Sequence, residues 1–138
     1  MSIESWKAEF YPVPAEKIVG ESPLVHAEHA YLKWSGATPA NLLKHGLTKL
    51  RLSISICEGD NCFKFSTQEW VWCHNYYSVP SGGCTRCPLY PYGRCGEPTA
   101  PFMKWFSDSD PQPMIDAILE ILNELRRSTN QRTYSDSV

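Results

Sequence analysis

Cys84-Thr85-Arg86-Cys87, with Cys73 before it and Cys95 after it, lies in or beside a stretch from Ser78 to Pro101 crowded with proline and glycine. Proline breaks helices and sheet ladders, so such a stretch holds little regular structure, and it has few aliphatic side chains to bury. Something other than a core must order it. A C-x-x-C turn places two thiolates on one ion, and a structural zinc takes four ligands in a tetrahedron. Cys73, Cys84, Cys87 and Cys95 complete that set. Gly82, Gly83, Gly93 and Gly96 flank these cysteines, as expected where a chain bends sharply around an ion. Structural zinc contributes on the order of 10 kcal/mol of folding free energy in small peptides. Reduced, half-buried thiols and a disulfide framework are the competing readings. A redox-active C-x-x-C fits less well, because the thioredoxin type opens a helix after a strand, whereas Pro88 and the following turns indicate a loop.

The compartment bears on the choice. Met1-Ser2-Ile3-Glu4-Ser5-Trp6-Lys7 lacks the basic-then-apolar order of a secretory signal. No apolar run approaches the roughly 20 residues that cross a bilayer. The expectation is an unprocessed cytoplasmic protein with no membrane association, in which cysteines favour metal or free thiol over disulfide. A net charge of −2 gives no general drive toward nucleic acid or an anionic membrane.

The 138 residues are within the size of one domain, and five Trp, seven Tyr and five Phe supply ample aromatic area for its core. Pro12 and Pro14 predict an extended segment over residues 1–21, anchored by Trp6 and Phe10. Ser22-Pro23 and Thr38-Pro39 each read as an N-cap followed by proline at the first helical position. The first predicts a helix carrying Leu24, Ala27, Tyr31 and Trp34 and stopping at Gly36. The second predicts a short helix with Leu42 and Leu43 that ends at Gly46.

Beyond Gly46 the period changes. Leu50, Leu52, Ile54 and Ile56 alternate with Arg51, Ser53, Ser55 and Cys57, the pattern of a half-buried strand. Glu58-Gly59-Asp60-Asn61 reads as the turn of a hairpin that resumes with Cys62-Phe63-Lys64-Phe65. Ser66 and Glu69 are spaced as a capping box, which predicts a helix from about Thr67 to Tyr76. Asp110-Pro111 opens a last helix with Met114, Ile115, Ile118, Ile121, Leu122 and Leu125 as its apolar stripe. The fold class is α+β: a single domain over residues 22–127, with the cysteine loop at 73–95, a C-terminal helix covering the sheet, and a flexible tail over 128–138.

Cys57 and Cys62 face each other across the hairpin turn on one side of the ribbon. They are open to three uses: replacing Cys73 or Cys95 at the metal, forming a disulfide under oxidation, or remaining ordinary strand thiols. His74 is a further candidate ligand, strained by its adjacency to Cys73.

Several blocks together resemble small bacteriophage and prophage proteins of unassigned activity. They are Lys33-Trp34-Ser35-Gly36, Pro39 to Leu47, Cys84-Thr85-Arg86-Cys87-Pro88-Leu89, Pro101-Phe102-Met103-Lys104-Trp105 and Asp110-Pro111-Gln112-Pro113-Met114-Ile115. The resemblance covers about residues 30 to 125 and implies an accessory product, acting in the bacterial cytoplasm, with its cysteines gathered on a metal. In that family a second C-x-x-C often ends at the position of Cys73. Trp70 stands here where its first cysteine would be, and Cys57 or Cys62 becomes a substitute ligand.

Catalytic patterns are scarce. His26-Ala27-Glu28-His29 places two histidines on one helical face, but without a third ligand or H-E-x-x-H spacing, and a solvated face is the preferred reading. His26-Ala27-Glu28 also matches the H-x-E of zinc deaminases, whereas Gly83 stands where their proline precedes the C-x-x-C. His45 reads as an ordinary polar residue before a helix cap. The chain is therefore expected not to be an enzyme. Its expected function is to bind a host or phage protein, with Phe102, Lys104 and Trp105 as the surface to test. Packing of Phe102, Trp105 and Phe106 beneath the cysteine loop is the competing and commoner role of such residues. A nucleic-acid-binding zinc module using Arg86, Arg94 and Lys104 is the alternative.

Overall fold

The computed structural model describes residues 2–65, 87–92 and 98–136, with side chains as far as Ser128. It is a small α+β domain. In chain order the elements are α1 (Ile3–Phe10), α2 (Pro23–Ser35), α3 (Pro39–Lys44), β1 (Thr48–Lys49), β2 (Ser55–Glu58), β3 (Asn61–Lys64), α4 (Pro101–Asp108) and α5 (Gln112–Asp136). The strands form an antiparallel sheet in the order β1-β2-β3. Short 3-10 turns lie at Ala15–Lys17 and Tyr90–Tyr92.

The two Ser/Thr-Pro starts act as the sequence indicates. Ser22 Oγ accepts from the Val25 amide and Thr38 Oγ1 from the Asn41 amide, with proline opening each helix. Residues 1–21 are not extended throughout, because α1 forms before Pro12. Ser2 and Ser5 make a reciprocal capping box that satisfies amides at the helix start, and Ile3, Trp6 and Phe10 fall on one buried face.

The core is aromatic. Trp6, Trp34 and Trp105 are fully enclosed, with Phe65 between them. Trp34 meets Phe65 and Trp105 edge-on at 4.9 Å, while Phe65 stacks on Trp105 at 5.1 Å. These geometries add to the area term that dominates such a cluster. Ile56 and Phe63, paired across β2 and β3, bring the sheet's inner face to it. Lys33 is also fully enclosed, its ammonium donating to the Phe65 carbonyl and lying 4.8 Å from that ring's centre.

Gly36 caps the end of α2, as its position suggests, and has a second role. Trp6 Nε1 donates to its carbonyl at 2.9 Å, and a Cβ built there would stand 2.6 Å from Phe10 Cγ. It is the point where α1 crosses the end of α2.

The strand expected from Leu50 does not begin there. Leu50 and Leu52 are 67% and 60% exposed, and Leu52 has φ of 61° in the left-handed region. The cause is the C-terminus of α4, whose carbonyls lack intrahelical donors. The Leu52 amide donates to Phe106 O at 2.7 Å and Arg51 Nε to Ser107 O at 3.2 Å, which turns the chain away from the sheet. Regular pairing resumes only at Ser55.

Helix α5 packs mainly on α2 and α4 rather than over the sheet. Met114, Ile115, Ile118 and Leu122 are buried, and Ile121 and Leu125 pack partly against the core. Its backbone stays helical through Asp136, beyond the point at which the polar tail is expected to begin. The helix expected at about residues 67–76 lies outside the described residues. Among those described, no helix is long and apolar enough to cross a membrane.

Candidate functional site

The corner where the β1–β2 connection meets the end of α4 combines polar anchoring with exposed apolar groups. Lys49 Nζ donates to Leu50 O at 2.7 Å and to Phe106 O and Ser109 Oγ at 3.3 Å each, above the Trp105 ring at 4.6 Å. Ser109 caps α4 with φ of 60°. Two cations therefore sit at a helix C-terminus, where the dipole favours them. Partial burial nevertheless costs the Lys49 ammonium solvation and pulls its pKa down to about 8. With the backbone pinned at these points, Leu50 and Leu52 project into solvent. Leu43 on α3, the helix before β1, is 79% exposed. The chain has no acidic residue between Glu28 and Glu58, and the cations of this stretch are engaged elsewhere, Lys44 on Glu9 and Lys49 and Arg51 on α4 carbonyls.

Of the expected partner-binding residues, Lys104 is exposed, Phe102 is half-buried against Trp34 and Trp105, and Trp105 is fully enclosed. Trp105 thus belongs to the core and supports the corner from beneath rather than offering a surface anchor. The exposed leucines next to it were not visible in the sequence, because alternation with Ile54 and Ile56 made them read as strand.

Cys73, Cys84 and Cys95 of the expected metal set lie outside the described residues, as does His74. Cys87 is half-buried against the core at the start of the segment that continues to Tyr92, where Leu89 is buried. Among the described residues no three His, Cys, Asp or Glu side chains gather in a way that would hold a metal ion. Cys57 and Cys62 are joined as a disulfide across directly opposed positions of β2 and β3, one of the three uses their spacing left open.

The histidines of α2 do not form a solvated face. His26 is buried, with Nε2 2.7 Å from Ile18 O and 3.1 Å from Val19 O. His29 Nε2 lies 2.7 Å from Val13 O, and its ring meets Tyr11 edge-on at 5.1 Å. Both rings hold the carbonyls of the 13–19 segment against α2, while Glu28 points to solvent. Burial lowers the His29 pKa, its largest cause. This arrangement secures a loop through the Nε2 atom of each ring.

A third polar cluster joins α1 to the end of α3. His45 is buried, with Nδ1 2.8 Å from Ser5 Oγ and Nε2 2.7 Å from Glu9 Oε1, and Lys44 Nζ bridges to Glu9 at 3.0 Å. Hydrogen bonds from His45 and then Lys44 hold the Glu9 carboxyl below its usual range. Ser, His and carboxylate in line have the order of a nucleophilic triad, but three amides at the start of α1 that could stabilise an oxyanion are already engaged. The amides of Ser2, Ile3 and Ser5 donate to Ser5 Oγ, Glu58 Oε1 and Ser2 Oγ. The cluster works as a clasp between two helices. Ser5 and Glu9 are one turn apart on α1, but nothing in their spacing points to a histidine 36 residues beyond Glu9.

Comparison with protein-family models, with curated proteins and with solved structures returns no match.

Proposed function

We propose that this chain is a non-enzymatic accessory protein, of phage or prophage type, that docks on a host or phage protein through the β1–β2 connection. The observation that carries the reading is the display of Leu50 and Leu52 at 67% and 60% exposure, with Leu52 in the left-handed region. A γ-branched residue there carries a backbone cost of about 1–2 kcal/mol that glycine would avoid, while remaining mostly in solvent. The turn itself serves the bond from the Leu52 amide to Phe106 O, but an exposed leucine in place of glycine there is a mark of a contact made elsewhere. The exposed leucines give the partner its chemistry: a segment with apolar side chains.

Nucleic acid is the weaker reading of the same stretch. Lys33 is enclosed, Lys44 is bridged to Glu9, and Lys49 and Arg51 are turned onto α4 carbonyls, leaving little cation for phosphates. A structural zinc on Cys73, Cys84, Cys87 and Cys95 belongs to the same proposal. Four thiolates suit a closed tetrahedral site, and Cys87 packs against the core.

The test is a photoreactive amino acid at Ser53, followed by identification of the adduct and titration of that purified protein. Leu50→Ser with Leu52→Ser should weaken binding at least tenfold with the fold unchanged by circular dichroism. Undiminished affinity would reject this surface.

A further inference from the structure

The hairpin places a pair of sulfurs in solvent on a frame that does not need them. Cys57 and Cys62 occupy directly opposed positions, one residue out from the Glu58↔Asn61 pair that closes the turn. Gly59 takes φ of 56° at the first turn position, the requirement of a two-residue type II′ loop, and this fixes the register. Alternation then sends neighbouring Ile56 and Phe63 inward, where they are buried, and the two sulfurs outward, with Cys57 half-exposed and Cys62 exposed.

Three constraints hold the hairpin apart from the sulfur bridge. Ile56 and Phe63 are anchored in the core, β1 pairs along the other edge of β2 at Thr48↔Cys57, and Glu58 accepts from the Ile3 amide of α1 at 3.3 Å. With the register locked this way, two reduced thiols stay opposite each other. Opening the bridge releases a loop of only four intervening residues, so little chain entropy is returned to the molecule.

We propose that Cys57–Cys62 is a thiol–disulfide exchange site that takes a dithiol from solution and cycles without unfolding the domain. The thiolate of the dithiol attacks Cys62 Sγ, on the more exposed of the two residues, forming a mixed disulfide while Cys57 leaves as a thiolate and takes up a proton. The second thiol of the reductant then attacks its own sulfur in that mixed bond and releases Cys62. The protein gains two electrons and two protons, and the dithiol leaves as a disulfide. Oxidation reverses the same steps.

The experiment equilibrates the full chain over a series of reduced-to-oxidised dithiothreitol ratios. Accessible thiols are trapped with a light maleimide, and the remainder, after denaturation and reduction, with a heavy one. Trypsin then releases residues 52–64, which carry both cysteines of the pair and no other. The expected result is a reversible change of two labels, both cysteines in step, with the near-ultraviolet dichroism of the folded state retained. The double variant Cys57→Ser/Cys62→Ser under the same ratios measures what the other four cysteines contribute to that signal. The proposal fails if the pair stays reduced throughout, if it opens only in denaturant, or if opening abolishes the dichroism while the double variant keeps it. In Cys57→Ser alone, Cys62 should label in the folded protein within minutes. Labelling only on unfolding would overturn the assignment of Cys62 as the attacked sulfur.

Discussion

Gly36 and Phe10 approach so closely that a methyl group on Gly36 would lie 2.6 Å from Phe10 Cγ and 2.7 Å from Trp6 Nε1. The ring and the indole are both packed in the core and cannot swing aside. Gly36→Ala should therefore force α1 off the end of α2, costing about 1–3 kcal/mol by overpacking. Urea unfolding, with intrinsic tryptophan fluorescence as the probe, measures this directly. A variant as stable as the parent would mean that α1 does not cross α2 at this residue.

Leu52 sets stability against binding. Its φ of 61° suits glycine, and the residue is mostly in solvent, so Leu52→Gly removes strain at the loss of little burial. The variant should be more stable by about 1 kcal/mol, the scale of the left-handed penalty, while losing affinity for the docking partner. Thermal melts and a binding titration on the same sample separate the two effects.

Glu9 governs part of the acid limb. Its folded carboxyl titrates below the ordinary value of 4.5, so the clasp adds stability that is present above that value. The contribution is lost as pH falls through the lower, folded value, because the unfolded chain takes up the proton first. Glu9→Gln should flatten the decline of stability below pH 4.5, read from unfolding curves at pH 5, 4 and 3.

Lys49 acts at the other end of the scale. Its pKa falls from 10.5 to about 8 on folding, so between those values the unfolded state holds the proton that the folded state has shed. Stability should rise as pH climbs from about 8 toward 10, and Lys49→Met should abolish that rise. The comparison of the two proteins cancels groups common to both.

Sequence pattern reached the elements that local chemistry decides. Ser22-Pro23 and Thr38-Pro39 mark α2 and α3 because a cap and a proline act within one turn, and Ile56 with Phe63 marks the hairpin because alternation is local. The apolar stripe from Met114 to Leu125 marked α5, though not the helices it would pack on. What escaped depends on distant partners. Leu50 and Leu52 alternate correctly for a strand, yet the unpaired carbonyls at Phe106 and Ser107 claim the segment. Pro12 and Pro14 suggested extension over a helix that closes before them through Ser2 and Ser5. The clasp of Ser5, Glu9 and His45 joins residues 36 and 40 positions apart, a distance at which no periodicity carries information. Of the sulfur chemistry, the Cys57–Cys62 pairing was among the readings open in the sequence, because it follows from a turn alone.

Lys33 gives the molecule a silent reporter. With its amine enclosed among Phe63, Phe65 and Trp34, it is withheld from acylating reagents and from trypsin for as long as the core is shut. Exposed lysines such as Lys104 should be modified at once, and Lys33 only at the rate at which the whole core opens. A single peptide followed by mass spectrometry would then time the breathing of this domain, in vitro or inside a cell, without any residue of the chain having been replaced.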